Sequence, residues 1–172
     1  MGAEKKSSFL KELFLFCLVL FLCFMVLESS ARVFNLTPTY FWEFDEELGK
    51  QLVPNKKGLY ETHEFSVPII INSKGQHDYE YEYKKPPGTF RILVLGDSFA
   101  ESVQVPIDFS AQQVLEDHLN KVPNKKKEYK KIEVINMGVS GYGPDQELIL
   151  LQKEGFKYDP DVVVVYFLDH ND

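Results

Sequence analysis

The sequence has little cysteine and no excess of positive charge. Both cysteines, Cys17 and Cys23, lie in an apolar run near the N-terminus, so the rest of the chain has no thiol for a disulfide or for nucleophilic catalysis. With 19 Lys and Arg against 26 Asp and Glu, the net charge is −7. This argues against nucleic acid as a partner, since binding to phosphates needs a basic surface. The sequence also lacks a nucleotide-binding glycine signature and residues spaced as metal ligands, so we expect no cofactor and no metal.

Residues 1–31 are expected to form a short cytoplasmic tail and a transmembrane anchor. The run LFLFCLVLFLCFMVL over residues 13–27 approaches the roughly 20 apolar residues that span a bilayer. Lysines at positions 5, 6 and 11 precede it, which predicts a cytoplasmic N-terminus and an extracytoplasmic remainder. The alternative is a signal peptide cleaved near Ala31, which would release a secreted protein. We favour the anchor because the run is long for a signal peptide.

Residues 32–87 are rich in aromatic side chains, and we expect a small β-containing linker segment there. Residues 65–71 are typical of a strand, and the tyrosines at 79, 81 and 83 alternate with charged residues, which predicts a half-exposed strand. The aromatic residues are interpreted as packing against the next domain. A stacking platform for sugar rings is the alternative.

From residue 88 the pattern alternates between strand and helix. Strands are predicted at 92–95, 132–135 and 162–168. Apolar positions 111, 114, 115, 118 and 119 predict a helix with one buried stripe, and Pro144 and Gly155 bracket another helix. The third strand, VVVVYFL, is typical of burial on both faces of a parallel sheet, although a sheet of only three strands would leave it as an exposed edge. The fold class is therefore α/β, with helices layered on a parallel sheet.

Polar or glycine residues follow all three predicted strands. Ser98 comes directly after the first strand in a Gly-Asp-Ser turn, Gly138 follows the second, and Asn171 follows the third. Each signal alone is equally typical of a helix cap or a turn. Because the carboxyl ends of parallel strands meet at one edge, the three together predict a serine nucleophile facing an oxyanion pocket.

Residues 88–172 resemble the SGNH, or GDSL-type, hydrolase family. Gly96-Asp97-Ser98-Phe99 is similar to its first block, Gly138 to the glycine of its second block, and Asn171-Asp172 to its third block. The resemblance implies a three-layer α/β/α sandwich with a parallel sheet, the flavodoxin-like SGNH fold. It also implies that Ser98 is the nucleophile, that its N–H, the Gly138 N–H and the Asn171 side chain form the oxyanion hole, and that Asp97 supports the turn.

Two features depart from that family. Asp169 stands where the family usually has glycine, and no aspartate lies three residues before a histidine. His63, His77 and His118 do not fit that pattern, and His170 is too close to Asn171 to serve as the base. We therefore expect residues 88–172 to be the N-terminal part of a longer domain whose sheet is incomplete here.

The resulting hypothesis is a serine-dependent ester hydrolase or O-acyltransferase, active if the polypeptide continues past residue 172. Its expected partners are the membrane and an ester-bearing substrate, namely an acylated glycan or lipid of the cell envelope, a choice that follows from location rather than from residues. The alternative is a catalytically inactive SGNH-like binding or partner module that lacks the catalytic histidine. A third interpretation is a structural envelope protein in which the motifs are incidental.

Overall fold

The structure is a computed structural model that describes residues 2–34, 40–122 and 129–167. The chain divides into two units, residues 1–38 and residues 39–172. The first contains a single helix, α1 (Gly2–Val33). Within α1, Lys11–Val33 has a mean hydropathy of 2.5. Its 23 residues rise about 34 Å, which exceeds the hydrocarbon thickness of a bilayer. The helix is long and apolar enough to span a membrane or to act as a signal anchor.

The second unit begins with two small antiparallel pairs. Strand β1 (Trp42–Glu43) pairs with β2 (Gln51–Leu52), and β3 (Lys57–Glu61) pairs with β4 (Ser66–Ile70). Along β4, Val67 and Ile69 are buried while the residues between them face solvent, as expected for a sheet covering a core on one side. The prediction of a β-containing segment before residue 88 is confirmed.

A parallel three-stranded sheet follows. The central strand is β5 (Thr89–Gly96), flanked by β6 (Lys131–Asn136) and β7 (Val162–Tyr166), in the order β6-β5-β7. Val94 of β5 pairs with Asn136 of β6 and Gly96 pairs with Tyr166 of β7, so the three strands end at one edge. The protein is thus a mixed α/β structure with a parallel sheet and an N-terminal apolar helix.

Three helices connect these strands. They are α2 (Ser98–Glu101), α3 (Ala111–Lys121) and α4 (Pro144–Lys153), with 3₁₀ turns at Ile107–Phe109 and Gly155–Tyr158. Helix α3 begins after Ser110, whose Oγ accepts a 3.3 Å hydrogen bond from Gln113 N–H. Helix α4 begins with proline at its first position, where the missing N–H has no consequence.

The buried side of α3 differs from the prediction. Its apolar residues Val114 and Leu115 are exposed, and the side that packs inward carries polar residues. Gln112 donates to the carbonyl of Ala100 at 3.0 Å, and Asn120 donates to that of Ile132 at 2.7 Å. The helix is held by hydrogen bonds to neighbouring backbone groups, so the apolar stripe does not mark its buried face.

One strand expectation agrees with the structure and another needs correction. The valines of β7 form a strand at the edge of the described sheet, as expected for a sheet of three strands, and Val162 is 40% exposed and Val165 is 50% exposed. Residues 79–83 form no strand. There the tyrosine hydroxyls bond to carboxylates on other segments, Asp108, Glu116 and Glu154, instead of the backbone pairing with a neighbour.

The aromatic-rich segment shares its core with the α/β part. One apolar cluster combines residues from before position 88 with residues that follow β5 and β6: Phe41, Leu48, Leu52, Val67, Ile69, Ile71, Val103, Val139 and Tyr142. A second cluster packs the central strands: Tyr81, Leu93, Leu95, Ile135, Met137 and Tyr158. The aromatic residues of this segment therefore take part in packing, as the first interpretation predicted.

Candidate functional site

Ser98 lies in a sharp turn between the central strand β5 and helix α2, of which it is the first residue. Gly96 ends the strand with φ of 153°, and a Cβ there would approach Ala100 Cβ to 2.8 Å. Asp97 caps the helix, because its Oδ1 accepts a 2.8 Å hydrogen bond from Phe99 N–H. The Gly-Asp-Ser sequence thus fixes the Ser98 backbone and leaves the side chain half-buried at the end of the strand.

Gly138 lies directly against the helix that begins with Ser98. A Cβ at Gly138 would come within 2.5 Å of Ala100 Cβ and would also collide with the backbone N of Glu101. The turn continues the ladder of the sheet, since Met137 N–H donates to Val94 O at 2.8 Å. The structure therefore brings the glycine turn and α2 together, and the absence of a side chain at Gly138 permits this close approach.

The N–H of Gly138 already has an acceptor. It donates to Asn136 Oδ1 at 2.9 Å, so this bond must open before the same N–H can serve an oxyanion. Three residues further along the turn, Gly141 has φ of 80°, and its N–H has no acceptor among the residues that the structure describes. The role predicted for Gly138 as an oxyanion donor stays a prediction.

Asn171 lies outside the described residues, as do Asp169, His170 and Asp172. The strand that leads to them is described as far as Tyr166, which pairs with Gly96 at the sheet edge where Ser98 follows. The predicted role of Asn171 also stays a prediction.

No histidine in the described ranges contacts Ser98. His63 is exposed beside Glu64, His118 lies on the outer face of α3, and His77 is buried with its Nδ1 2.9 Å from the carbonyl oxygen of Glu101. Burial lowers the pKa of His77, which keeps the ring neutral with Nδ1–H as the donor. The three described histidines therefore do not supply a general base for Ser98 in this structure.

Sequence reasoning missed Glu101, the last residue of α2. Its side chain is fully buried and accepts hydrogen bonds from Trp42 Nε1 at 2.9 Å and from Ser140 N–H at 2.7 Å. Burial raises the pKa of Glu101, while these bonds and the charge of Lys50 oppose the rise. The only signal in the sequence is a carboxylate three residues after Ser98, and a surface position would explain that equally well.

A second missed carboxylate, Asp78, holds the end of β6. Its Oδ2 accepts a 2.7 Å bond from Asn136 N–H, and its Oδ1 accepts from Tyr79 N–H at 2.8 Å and from Gln113 Nε2 at 2.9 Å. Burial raises the pKa of Asp78 to about 7, and the charge of Glu116 acts in the same direction. Asn136 in turn accepts from Gly138 N–H, so Asp78 supports the strand end that carries the glycine turn.

The raised pKa of Asp78 predicts that stability falls as pH rises. Between the ordinary pKa of 3.8 and about 7 the folded protein binds more protons than the unfolded chain, so the free energy of unfolding decreases across this window and levels off above it. Since one pKa unit corresponds to about 1.4 kcal/mol, we expect a loss of several kcal/mol. Urea unfolding of the full-length chain in detergent, followed by the fluorescence of its single tryptophan, measures the profile.

Asp78→Asn should remove this part of the pH dependence, and subtracting the variant's profile cancels the titration of His77 and Glu101. Asp117→Asn is the control, because that carboxylate is exposed on α3 and pairs with Lys121. Equal slopes in wild type and Asp78→Asn would contradict the assignment.

Among the described residues no group of three or more His, Cys, Asp and Glu side chains is placed to hold a metal ion. No protein-family model matches the chain, and a comparison with curated proteins finds no match either. The class of protein that fold and site define is a mixed α/β protein with an N-terminal apolar helix and a serine at the carboxyl edge of a parallel sheet.

Proposed function

We propose that this chain carries the nucleophile and oxyanion half of a serine esterase or O-acyltransferase of the SGNH type. The observation that supports the proposal most is the contact between the two predicted elements. Gly138 packs without a side chain on α2, the helix whose first residue is Ser98. An acyl-transfer site needs this proximity of nucleophile and backbone donors.

The reaction proposed is attack of Ser98 Oγ on an ester carbonyl. A bond forms between Oγ and the acyl carbon, the ester C–O bond breaks, and the Oγ proton passes through a general base to the departing alcohol. Water or a sugar hydroxyl then takes the acyl group and frees Ser98. The base is proposed to be a histidine supplied from outside residues 1–172, as in the family that residues 88–172 resemble.

The finer features of the fold belong to the same proposal. A three-layer α/β/α sandwich would extend the sheet beyond β7, whose exposed valines suit a further strand. The lysines before the apolar run favour a cytoplasmic N-terminus, which places the Ser98 unit on the extracytoplasmic side. Acylated glycans or lipids of the cell envelope are the substrates available there.

A fluorophosphonate probe tests whether Ser98 is activated. A polypeptide that contains residues 1–172 together with the proposed base should be labelled at Ser98 in detergent, and the label should fall to background in Ser98→Ala, because only an activated serine reacts readily with this probe. Ser66→Ala is the matched control, since Ser66 is an exposed serine on β4 and its loss should leave labelling unchanged. Mass spectrometry of the peptide that contains Ser98 locates the adduct.

The second candidate function is a non-catalytic binding module. It is favoured by the occupied N–H of Gly138 and by the lack of a histidine contact to Ser98 among the described residues. Wild-type labelling no stronger than that of Ser98→Ala would exclude the enzyme and leave this candidate.

A further inference from the structure

The buried carboxylate of Glu101 joins three separate segments of the chain. It is the last residue of α2, three positions after Ser98, and its side chain is 0% exposed. Oε1 accepts from the indole N–H of Trp42 in β1 at 2.9 Å. Oε2 accepts from the N–H of Ser140 at 2.7 Å and from the Ser140 hydroxyl as well. One side chain therefore connects the serine helix, the glycine turn and the segment that precedes the sheet.

Lys50 completes this arrangement from the other side. Its Nζ donates to the carbonyl oxygen of Ser140 at 2.7 Å and lies 4.9 Å from the centre of the Trp42 ring. A cation near a buried carboxylate offsets part of the free energy lost by removing the charge from water. Both polar groups of the Ser140 backbone are thus held, the N–H by Glu101 and the carbonyl by Lys50.

Stability alone does not explain a buried charge at this position. Well-packed apolar residues often serve a fold as well as a buried ion pair does, whereas charge-assisted hydrogen bonds fix distances and directions. The distance that the Glu101 bonds fix is the one between α2 and the turn that contains Gly138 and Ser140. That distance decides whether backbone donors in the turn can reach an oxyanion formed on Ser98.

We propose that Glu101 is a positioning residue that, through its bonds to Ser140 and Trp42, holds the glycine turn at the spacing Ser98 requires for acyl transfer. This inference rests on the proposed function. We call the set of hydrogen bonds from Glu101 to Trp42 and Ser140 the Glu101 bridge. Residues 42–50 support the site as well, because Trp42 of β1 donates to Glu101 and Lys50 donates to the carbonyl of Ser140.

The test compares two substitutions of carboxylates by amides, one at the buried Glu101 and one at the half-buried Glu116. In Glu101→Gln one carboxylate oxygen becomes an NH₂ group, which cannot accept a hydrogen bond. This group faces a donor at either Trp42 or Ser140, so the hydrogen bond to at least one of these residues is lost. Glu116→Gln is the matched control. Glu116 also accepts from a backbone N–H, that of Val134 at 2.8 Å, and from a hydroxyl, that of Tyr81 at 2.9 Å, but both bonds go to one oxygen and neither partner belongs to α2 or the turn.

Fluorophosphonate labelling of the polypeptide that also carries the proposed base is measured at several probe concentrations, so that the maximal rate of reaction and the apparent affinity are obtained separately. We expect Glu101→Gln to lower the maximal rate about 10- to 100-fold with little change in affinity, because displacement of the donors affects the reacting geometry. Glu116→Gln should stay close to wild type. Partial unfolding would lower the labelled fraction instead of the rate.

Amide hydrogen exchange gives a readout that does not depend on catalysis. In Glu101→Gln, peptides covering 98–103 and 137–143 should exchange faster than in wild type, while Glu116→Gln should leave both unchanged. If these peptides exchange at the wild-type rate, the positioning role is overturned even where labelling falls. If wild type is not labelled but the exchange result holds, the proposed function fails and the bridge stands as a structural clamp only. Equal loss of labelling rate in both variants also overturns the positioning role.

Discussion

Gly138→Ala is expected to lower the free energy of unfolding by about 3 kcal/mol or more, or to prevent folding. The new Cβ would lie within 2.5 Å of Ala100 Cβ and against the backbone N of Glu101. Backbone atoms cannot move aside as the end of a flexible side chain can, so α2 must shift away from the turn. Chemical unfolding followed by Trp42 fluorescence measures the loss.

The same turn supplies two matched controls. At Gly143, φ is −109° and no described atom lies within 4 Å of a built Cβ, so Gly143→Ala should lose only the small advantage that glycine has over alanine at a helix N-cap. At Gly141 the space is also open but φ is 80°, so Gly141→Ala should lose about 1 kcal/mol or slightly more from backbone strain. The loss of stability is therefore expected to increase from Gly143→Ala through Gly141→Ala to Gly138→Ala. A Gly138→Ala protein as stable as Gly143→Ala would contradict the close approach that defines the site.

The elements that could be predicted from the sequence are those whose signals are local. Short runs of mainly apolar residues predicted β5, β6 and β7 to within a few residues, and Pro144 predicted the start of α4. The Gly-Asp-Ser turn also formed as predicted, with Asp97 as the cap. In each case the signal comes from residues adjacent in the chain, although the strands themselves pair with partners far away in the sequence.

The errors arose where polar groups pack inward. The apolar stripe of α3 predicted its buried face, but Gln112 and Asn120 occupy that face because their amides satisfy backbone groups of other segments. The alternation of tyrosines with charged residues at 79–83 predicted a strand. In the structure the tyrosine hydroxyls donate instead to carboxylates that are distant in the sequence. Hydrophobic periodicity does not report such bonds.

The candidate site could be predicted only in part for the same reason. Ser98 and Gly138 follow strands, so the topology brings them to one edge. Glu101 could not be recognised, because its partner Trp42 is 59 positions away in a segment with no regular pattern. The role of Asp78 could not be recognised either, because it depends on a hydrogen bond to Asn136, which lies 58 positions further along the chain. The sequence located the predicted reacting group but not the side chains that hold it in place.

Arg91 is the other position at which a large effect is expected, because it is a charged side chain at the centre of the fold. It is 1% exposed on β5, and its guanidinium donates to Glu133 at 2.7 Å and to the carbonyl oxygens of Tyr83 and Tyr158 at 2.9 and 2.8 Å. These bonds join strands β5 and β6 to the segments that contain Tyr83 and Tyr158. Arg91→Met keeps most of the volume but leaves the two carbonyls without their donor and the buried Glu133 carboxylate with Lys131 as its remaining side-chain donor. We expect a loss of about 3–5 kcal/mol in the free energy of unfolding.

Lys131→Met is the matched control, because Lys131 also bonds to Glu133, at 3.1 Å, but its side chain is 54% exposed. Its loss should change stability by less than about 1 kcal/mol. Adding Glu133→Leu to Arg91→Met removes the buried carboxylate that has lost its guanidinium partner, so the double variant should be more stable than Arg91→Met alone, with the two carbonyls accounting for most of the remaining loss. A double variant whose loss equals or exceeds the sum of the two single losses would show that the ion pair is not what couples these residues. If Arg91→Met and Lys131→Met have equal effects, the buried guanidinium does not organise this part of the sheet.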